Sequence, residues 1–572
     1  MGGVVLLGVC VSRADEDARP VRPFLVAAAA SVDRLLDDAR QLLMMAGREE
    51  IADRVDAGLT ALKQLRGIDR SRPLGGMLFF RPDRPEQPDV LLFVPVADVS
   101  QLLGTIQFGD DLRLEQTDQR DRLILTTRHK RIPVLLRDGF ALFDPEGSDR
   151  LLDATLPRLP ELLRTAGTPR DSVLRLHRDG FPDAILQELS VPLRREAEQD
   201  LARREDESAE EHAFRRQLVE GLVGMVETVL AEWQTVNVSV QLSPERAGLD
   251  VTGSMTFLAG GRVRQVIAEM QPGESPFATM WDADVPVSLA LRGRLPAVWR
   301  ALPREVAALL RPQLERELVR ADEPTRSALL GLLAAFEQTL SVEGMDLCVQ
   351  LVRGETARLV LLGGAVIAEP AQVADSVEQI ARLAAQSRDV RSVELDIAPE
   401  SGVSVHRLRP LKPRRQDERL YGPDAAIYLA VSHSVLWLAV GEDAALSKLL
   451  GVIGRGREQR SHGTLPLARP GFGERLTGAA EGNRPRATDR ALLDVRVSAA
   501  DWVELLQQIG GARRPELLAL AEESLLDRET DEGRLRVGLG DAGLELQFTL
   551  ERGYVRFLAK LAAARLKVPS GD

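Results

Sequence analysis

The chain lacks most of the residues that catalytic and binding templates depend on. Only six of its 74 basic residues are lysine, at 63, 130, 412, 448, 560 and 567, and the other 68 are arginine. None of the six sits in a Gly-x-x-x-x-Gly-Lys-Ser/Thr loop, which excludes that phosphate cradle. The six histidines, at 129, 177, 212, 406, 433 and 462, are scattered and form no His-Glu-x-x-His, so no metal site is expected. Nucleophile elbows of the Gly-x-Ser-x-Gly kind and Ser-x-x-Lys pairs are also missing. Two cysteines, Cys10 and Cys348, leave stability to core burial. Aromatic residues make up 4%, too few for extended stacking platforms, and a net charge of −12 argues against nucleic acid held by the overall field. No segment reaches 18 consecutive apolar residues, so no transmembrane segment is expected.

What is present begins with Val4-Val-Leu-Leu-Gly-Val-Cys-Val11. This run is too short to span a bilayer, and small residues at Ser12 and Ala14 follow it. Together they read as a secretory signal, residues 1–14, although Met1-Gly2-Gly3 lacks the usual positive charge. The expected location is extracytoplasmic, periplasmic or secreted.

Internal similarity is the main organising signal. Val173-Leu-Arg-Leu-His-Arg-Asp-Gly-Phe-Pro182 resembles Val287-Ser-Leu-Ala-Leu-Arg-Gly-Arg-Leu-Pro296, each a strand that stops at a proline. Val240-Gln-Leu aligns with Val349-Gln-Leu, and Leu249-Asp-Val-Thr-Gly253 with Leu359-Val-Leu-Leu-Gly363. Between the strands, Leu218, Leu222, Met225, Val226 and Val229 recur at helical spacing, while Val236, Val238, Val240 and Leu242 alternate with polar residues as a half-buried strand does. The expected fold class is α+β, with tandem repeated modules of strand, long helix and antiparallel hairpin. Modules are placed at 23–165, 170–275, 284–388 (a duplicate of the second) and 491–568. A hairpin-rich segment lies at 390–453 and a Gly/Arg/Pro-rich loop or linker at 454–490. Residues 194–216, alternating basic and acidic, read as one solvated helix laced with charge pairs.

Candidate chemistry is sparse. Cys348 shares a strand face with Asp346 and Gln350 and reads as a structural thiol, since no activating cation or histidine is apparent. Gly471-Phe-Gly473-Glu-Arg-Leu-Thr-Gly478 has its third glycine too late for a dinucleotide loop. Two basic clusters could meet an anionic surface. Arg128, His129, Lys130 and Arg131 fall at a hairpin tip, while Arg407, Arg409, Arg414 and Arg415 fall in a proline-punctuated loop. In an arginine-rich chain, solvated loops are the simpler account of both. No catalytic residue, metal ligand or cofactor is assigned.

The signal, the Phe24–Leu36 opening, the segment Ile68-Asp69-Arg70-x-Arg72-Pro73-Leu74-Gly75 and the Leu/Ala/Arg-rich modules resemble a group of uncharacterised exported proteins of planctomycete-type bacteria. The resemblance implies an extracytoplasmic α+β repeat protein and transfers no functional residue. The expected function is a non-catalytic exported binding or scaffold protein with an unknown protein or surface partner. A hydrolase with a site assembled from distant residues and a carrier of a lipid or other apolar ligand are the alternatives.

Overall fold

Alternating apolar and polar residues require strands with two unlike faces, and these strands are the frame of the molecule. In a computed structural model the described residues are 21–49, 52, 66–81, 87–105, 107–108, 112–154, 156–165, 171–203, 207–243, 248–273, 275–277, 285–320, 322–342, 344–354, 358–399, 402–412, 414–462, 491–509, 515–527 and 530–565. The expected signal at 1–14 and the Gly471–Gly478 segment lie outside them. The fold is α+β and its strand pairings are antiparallel. It divides into two compact units. The first comprises 1–200, 222–261 and 545–572, and the second 201–221 and 262–544.

In the first unit the strands are β1 (Leu25–Ala29), β2 (Leu74–Phe79), β3 (Asp89–Pro95), β4 (Gln107–Phe108), β5 (Leu112–Gln116), β6 (Arg122–Thr127), β7 (Arg131–Arg137), β8 (Phe140–Phe143), β9 (Ser172–His177), β10 (Trp233–Leu242) and β11 (Leu249–Phe257). Their spatial order is 4-5-6-7-8-3-2-1-9-10-11, and a late strand, Gly543–Leu550, pairs onto β11. The β7–β8 turn is Asp138-Gly139, both at positive φ (54° and 76°), the conformation a two-residue hairpin requires. Val26, Ala28, Met77, Phe79, Leu91, Phe93 and Val173 build the core on one face of this sheet. The helix Val32–Met45 starts where Ser31 caps it, its hydroxyl accepting from the Arg34 N–H at 3.0 Å.

The second unit repeats this logic with β12 (Val287–Gly293), β13 (Met345–Arg353), β14 (Leu359–Val366), β15 (Val390–Glu394), β16 (Val405–Pro410), β17 (Ala426–Ser432), β18 (Val435–Gly441), β19 (Ala491–Ser498) and β20 (Glu532–Leu539). Their order is 15-16-17-18-14-13-12-19-20. The late strand Gly543–Leu550 is β21. Here the core gathers Cys348, Val352, Val360, Leu362, Tyr428 and Trp437. Phe277 packs edge-on to Trp437, with ring centroids 5.5 Å apart.

A succession of strand, helix, hairpin and helix occurs four times, opening with β1, β9, β12 and β19. The matched hairpins differ in register: Val240 faces Val251, whereas Val349 faces Gly363, so the aligned glycines Gly253 and Gly363 are not equivalent in the sheet.

Three local expectations change. Residues 194–200 end one helix, Asp183–Asp200, and 209–216 begin another, Ala209–Glu232, which Ser208 and Glu211 cap reciprocally. The Glu211 N–H donates to Ser208 Oγ at 3.1 Å and the Ser208 N–H to Glu211 Oε2 at 2.9 Å. The proline-punctuated loop around Arg407 and Arg409 is instead strand β16, where burial of Val405 and pairing with β15 and β17 outweigh the flanking prolines. The helix Asp443–His462 also runs into the stretch read as linker from 454.

Candidate functional site

Strand alternation puts side chains two residues apart on one face, and cross-strand register converts that into rows. On the core-side face of the second unit, one row runs Gln350, Ser288, Arg496, Arg534 across β13, β12, β19 and β20. The next row runs Cys348, Ala290, Asp494, Arg536, and a third pairs Asp346 with Arg292. Three guanidiniums therefore converge on Asp494. Arg534 bonds both of its oxygens, at 3.0 and 2.6 Å, Arg536 donates to Oδ2 at 3.2 Å, and Arg496 lies 4.0 Å away. Burial works against the Asp494 charge, but Arg534, Arg536 and Arg496 outweigh it and hold the pKa below the usual carboxylate value. Burial and then Arg534 lower the pKa of Arg496 and of Arg536, although Glu532 at the start of β20 favours the Arg496 charge.

The inner end of the first row is neutral. Gln350 is 1% exposed and Ser288 0%, and neither Gln350 Nε2 nor Ser288 Oγ has a hydrogen-bond partner among the described residues. Buried polar atoms of this kind are normally satisfied, so both donors are available for an acceptor. Beside them Asp346 accepts from Ser275 Oγ at 3.1 Å and lies 3.9 Å from Arg292. Burial raises its pKa to about 6 even though the Ser275 bond and Arg292 pull it down. Cys348 is fully buried and its thiol is pushed up to about 12 by burial, which makes it a poor nucleophile.

The corresponding face of the first unit is rich in hydroxyls. His177, Thr235 and Thr256 form one row, Arg175, Asn237 and Ser254 the next, and Val173, Ser239 and Thr252 a third. Thr235 and Thr256 hydroxyls bond each other at 2.7 Å, Ser239 and Thr252 at 2.6 Å, and Asn237 Nδ2 donates to Ser254 Oγ at 3.1 Å. Arg175 Nε donates to Asn237 Oδ1, and burial lowers its pKa. His177 is lowered too, by burial and then by Arg175, and its buried Nε2 has no partner among the described residues. Phe24, Phe80, Phe181 and Trp233 cluster at the His177 end, with neighbouring ring centroids 4.1–5.5 Å apart, and the Phe24 carbonyl accepts from the His177 N–H at 2.9 Å.

The two basic clusters read from sequence lie one in each unit. Arg128, His129, Lys130 and Arg131 occupy the exposed β6–β7 tip, where Thr127 Oγ1 accepts from the Lys130 N–H at 3.0 Å. In the second unit Arg407 pairs with Glu394 and lies 3.5 Å from Asp443, which is also 3.4 Å from Arg409, so carboxylates already face these two. Arg414 and Arg415 are exposed at the start of the helix Arg415–Tyr421. Neither cluster contains the arginines of the sheet rows. Those were signalled in the sequence only by Asp494-x-Arg496 and Arg534-x-Arg536, charges at period two inside strands.

Among the described residues no group of three or more His, Cys, Asp or Glu side chains could hold a metal ion, and no helix is long and apolar enough to cross a membrane. No family model, curated protein or solved structure matches the chain.

Proposed function

We propose that this is a non-catalytic exported binding protein that holds an oxyanion, of the phosphate or sulfate kind, on the arginine rows of the second unit. The convergence of Arg496, Arg534 and Arg536 on the single carboxylate Asp494 carries the reading. Guanidinium forks match tetrahedral oxyanions in geometry, and partial burial strengthens each charge-assisted bond. The donors left over on Gln350 and Ser288 extend the same row with neutral hydrogen bonds. The four similar successions of elements support descent of the modules from one ancestor, with the rows as the feature that diverged.

Anion binding is tested by thermal unfolding with inorganic phosphate or sulfate at constant ionic strength. A ligand of the folded state raises Tm by mass action. The wild type is expected to gain stability and the R534Q/R536Q double variant to gain none; equal shifts in both would overturn the reading. Export is tested separately by fractionation with N-terminal sequencing, where an intact Met1 in the cytoplasm would sink it.

The apolar-carrier reading keeps one observation. On the opposite face of the first unit, Leu174 faces Val238 and Val238 faces Gly253, and Leu174 and Leu546 remain 38% and 40% exposed. Saturable displacement of a fluorescent fatty acid would favour it.

A further inference from the structure

We infer that the first unit carries a second and chemically different site, for a hydroxyl-bearing carboxylate of the sugar-acid class, on the face formed by Arg175, His177, Thr235, Asn237, Ser254 and Thr256. A partly buried cation is ordinarily paired, yet Arg175 meets a neutral amide oxygen, and among the described residues no carboxylate pairs with it. The missing counter-charge is a single one, because the other charges acting on His177, those of Arg22 and Asp179, already neutralise each other in an exposed pair at 2.8 Å. One unpaired guanidinium fits one carboxylate bidentately, whereas a dianion would call for more positive charge.

The surroundings select what the carboxylate is attached to. His177, two residues along the same strand face, is held neutral and offers a buried Nε2 with no partner among the described residues. Each hydroxyl pair on β10 and β11 uses one donor internally and keeps lone pairs and a second hydrogen for a ligand. The face is reachable, since Thr235 through Gln241 are all part-exposed even though β10 lies between two other strands. At the His177 end, Phe24 and Phe181, both part-exposed, supply aromatic surface of the kind that packs on the C–H face of a sugar ring. Aromatics are scarce in the chain as a whole, but four are concentrated at this spot.

Sodium D-glucuronate, D-glucose and sodium acetate are the probes, titrated calorimetrically into the full-length protein at fixed ionic strength. The side-chain resonances of the six histidines are followed in parallel, with H177N assigning His177. Glucuronate is expected to bind saturably and to raise the His177 pKa, because its charge offsets Arg175. Acetate is expected to bind at least about tenfold more weakly and glucose not to move His177. R175Q is expected to abolish binding and R175K, which keeps the charge without the fork, to weaken it. R534Q/R536Q is expected to leave it unchanged, so this site and the oxyanion rows succeed or fail independently. A His177 resonance that does not respond to glucuronate overturns the inference. So does a response to glucose or acetate of equal size, or an R175Q variant that binds like wild type.

Discussion

Two aspartates with raised pKa values both favour low pH, one through stability and the other through binding. Asp38 titrates at about 6 in the folded chain instead of 3.8, raised first by burial and then by the Asp171 charge, with Arg34 opposing. The folded state thus holds this proton more tightly than the unfolded one. The resulting stabilisation is fully present below about pH 4 and is lost as pH rises through 6. D38N is therefore expected to stabilise the protein at pH 7 by on the order of 1–3 kcal/mol and to change little at pH 4, as chemical denaturation would measure. Asp346 also titrates at about 6, but its position beside Arg292 ties it to binding. Protonation below pH 6 removes a negative charge from the edge of the arginine rows. Sulfate, which stays dianionic, is expected to bind roughly three- to tenfold more tightly at pH 5 than at pH 7.5, and D346N to flatten that dependence in a calorimetric titration.

At the level of elements, the capping box at Ser208 and Glu211 makes a helix boundary out of a run of charges. S208A is expected to cost about 0.5–2 kcal/mol and to speed amide exchange over residues 209–213 without touching β9 or β10. The Ser-x-x-Glu pattern was legible in the sequence but was masked by the charge alternation around it. The strand carried by alternation was legible as well, since Val236 to Leu242 falls in β10. Strand β16 was not, since Arg407 and Arg409 on one face, Pro410 at its end and Pro413 after it give the composition of a loop. The binding rows were the least legible part. Their members come from β12, β13, β19 and β20, and only register brings Ser288 beside Arg496 or Arg175 beside Asn237. The sequence showed charges at period two within a strand, not which strand would lie alongside.

For the whole molecule, the governing feature is that the first unit is completed by the end of the chain. Leu550 and Val555 join Leu242 in one buried cluster, against which Met45, Leu249, Phe548 and Tyr554 pack. Ending the chain at Gly540 removes β21 and the helix Arg552–Arg565, and with them this cluster and the pairing on β11. Hydrogen exchange is then expected to show lost protection in β10 and β11 and retained protection in β13 and β14, whose partners all remain. The same arrangement sets a clock for synthesis. At about 5–20 residues per second, the roughly 290 residues between Phe257 and Gly543 take on the order of 15–60 s to emerge. For that interval β11 is an unpaired edge, and an open row of backbone donors and acceptors is where chains join one another. A nascent first unit therefore spends tens of seconds as a template for the wrong partner, making it the half of the protein that most needs a chaperone while the ribosome finishes.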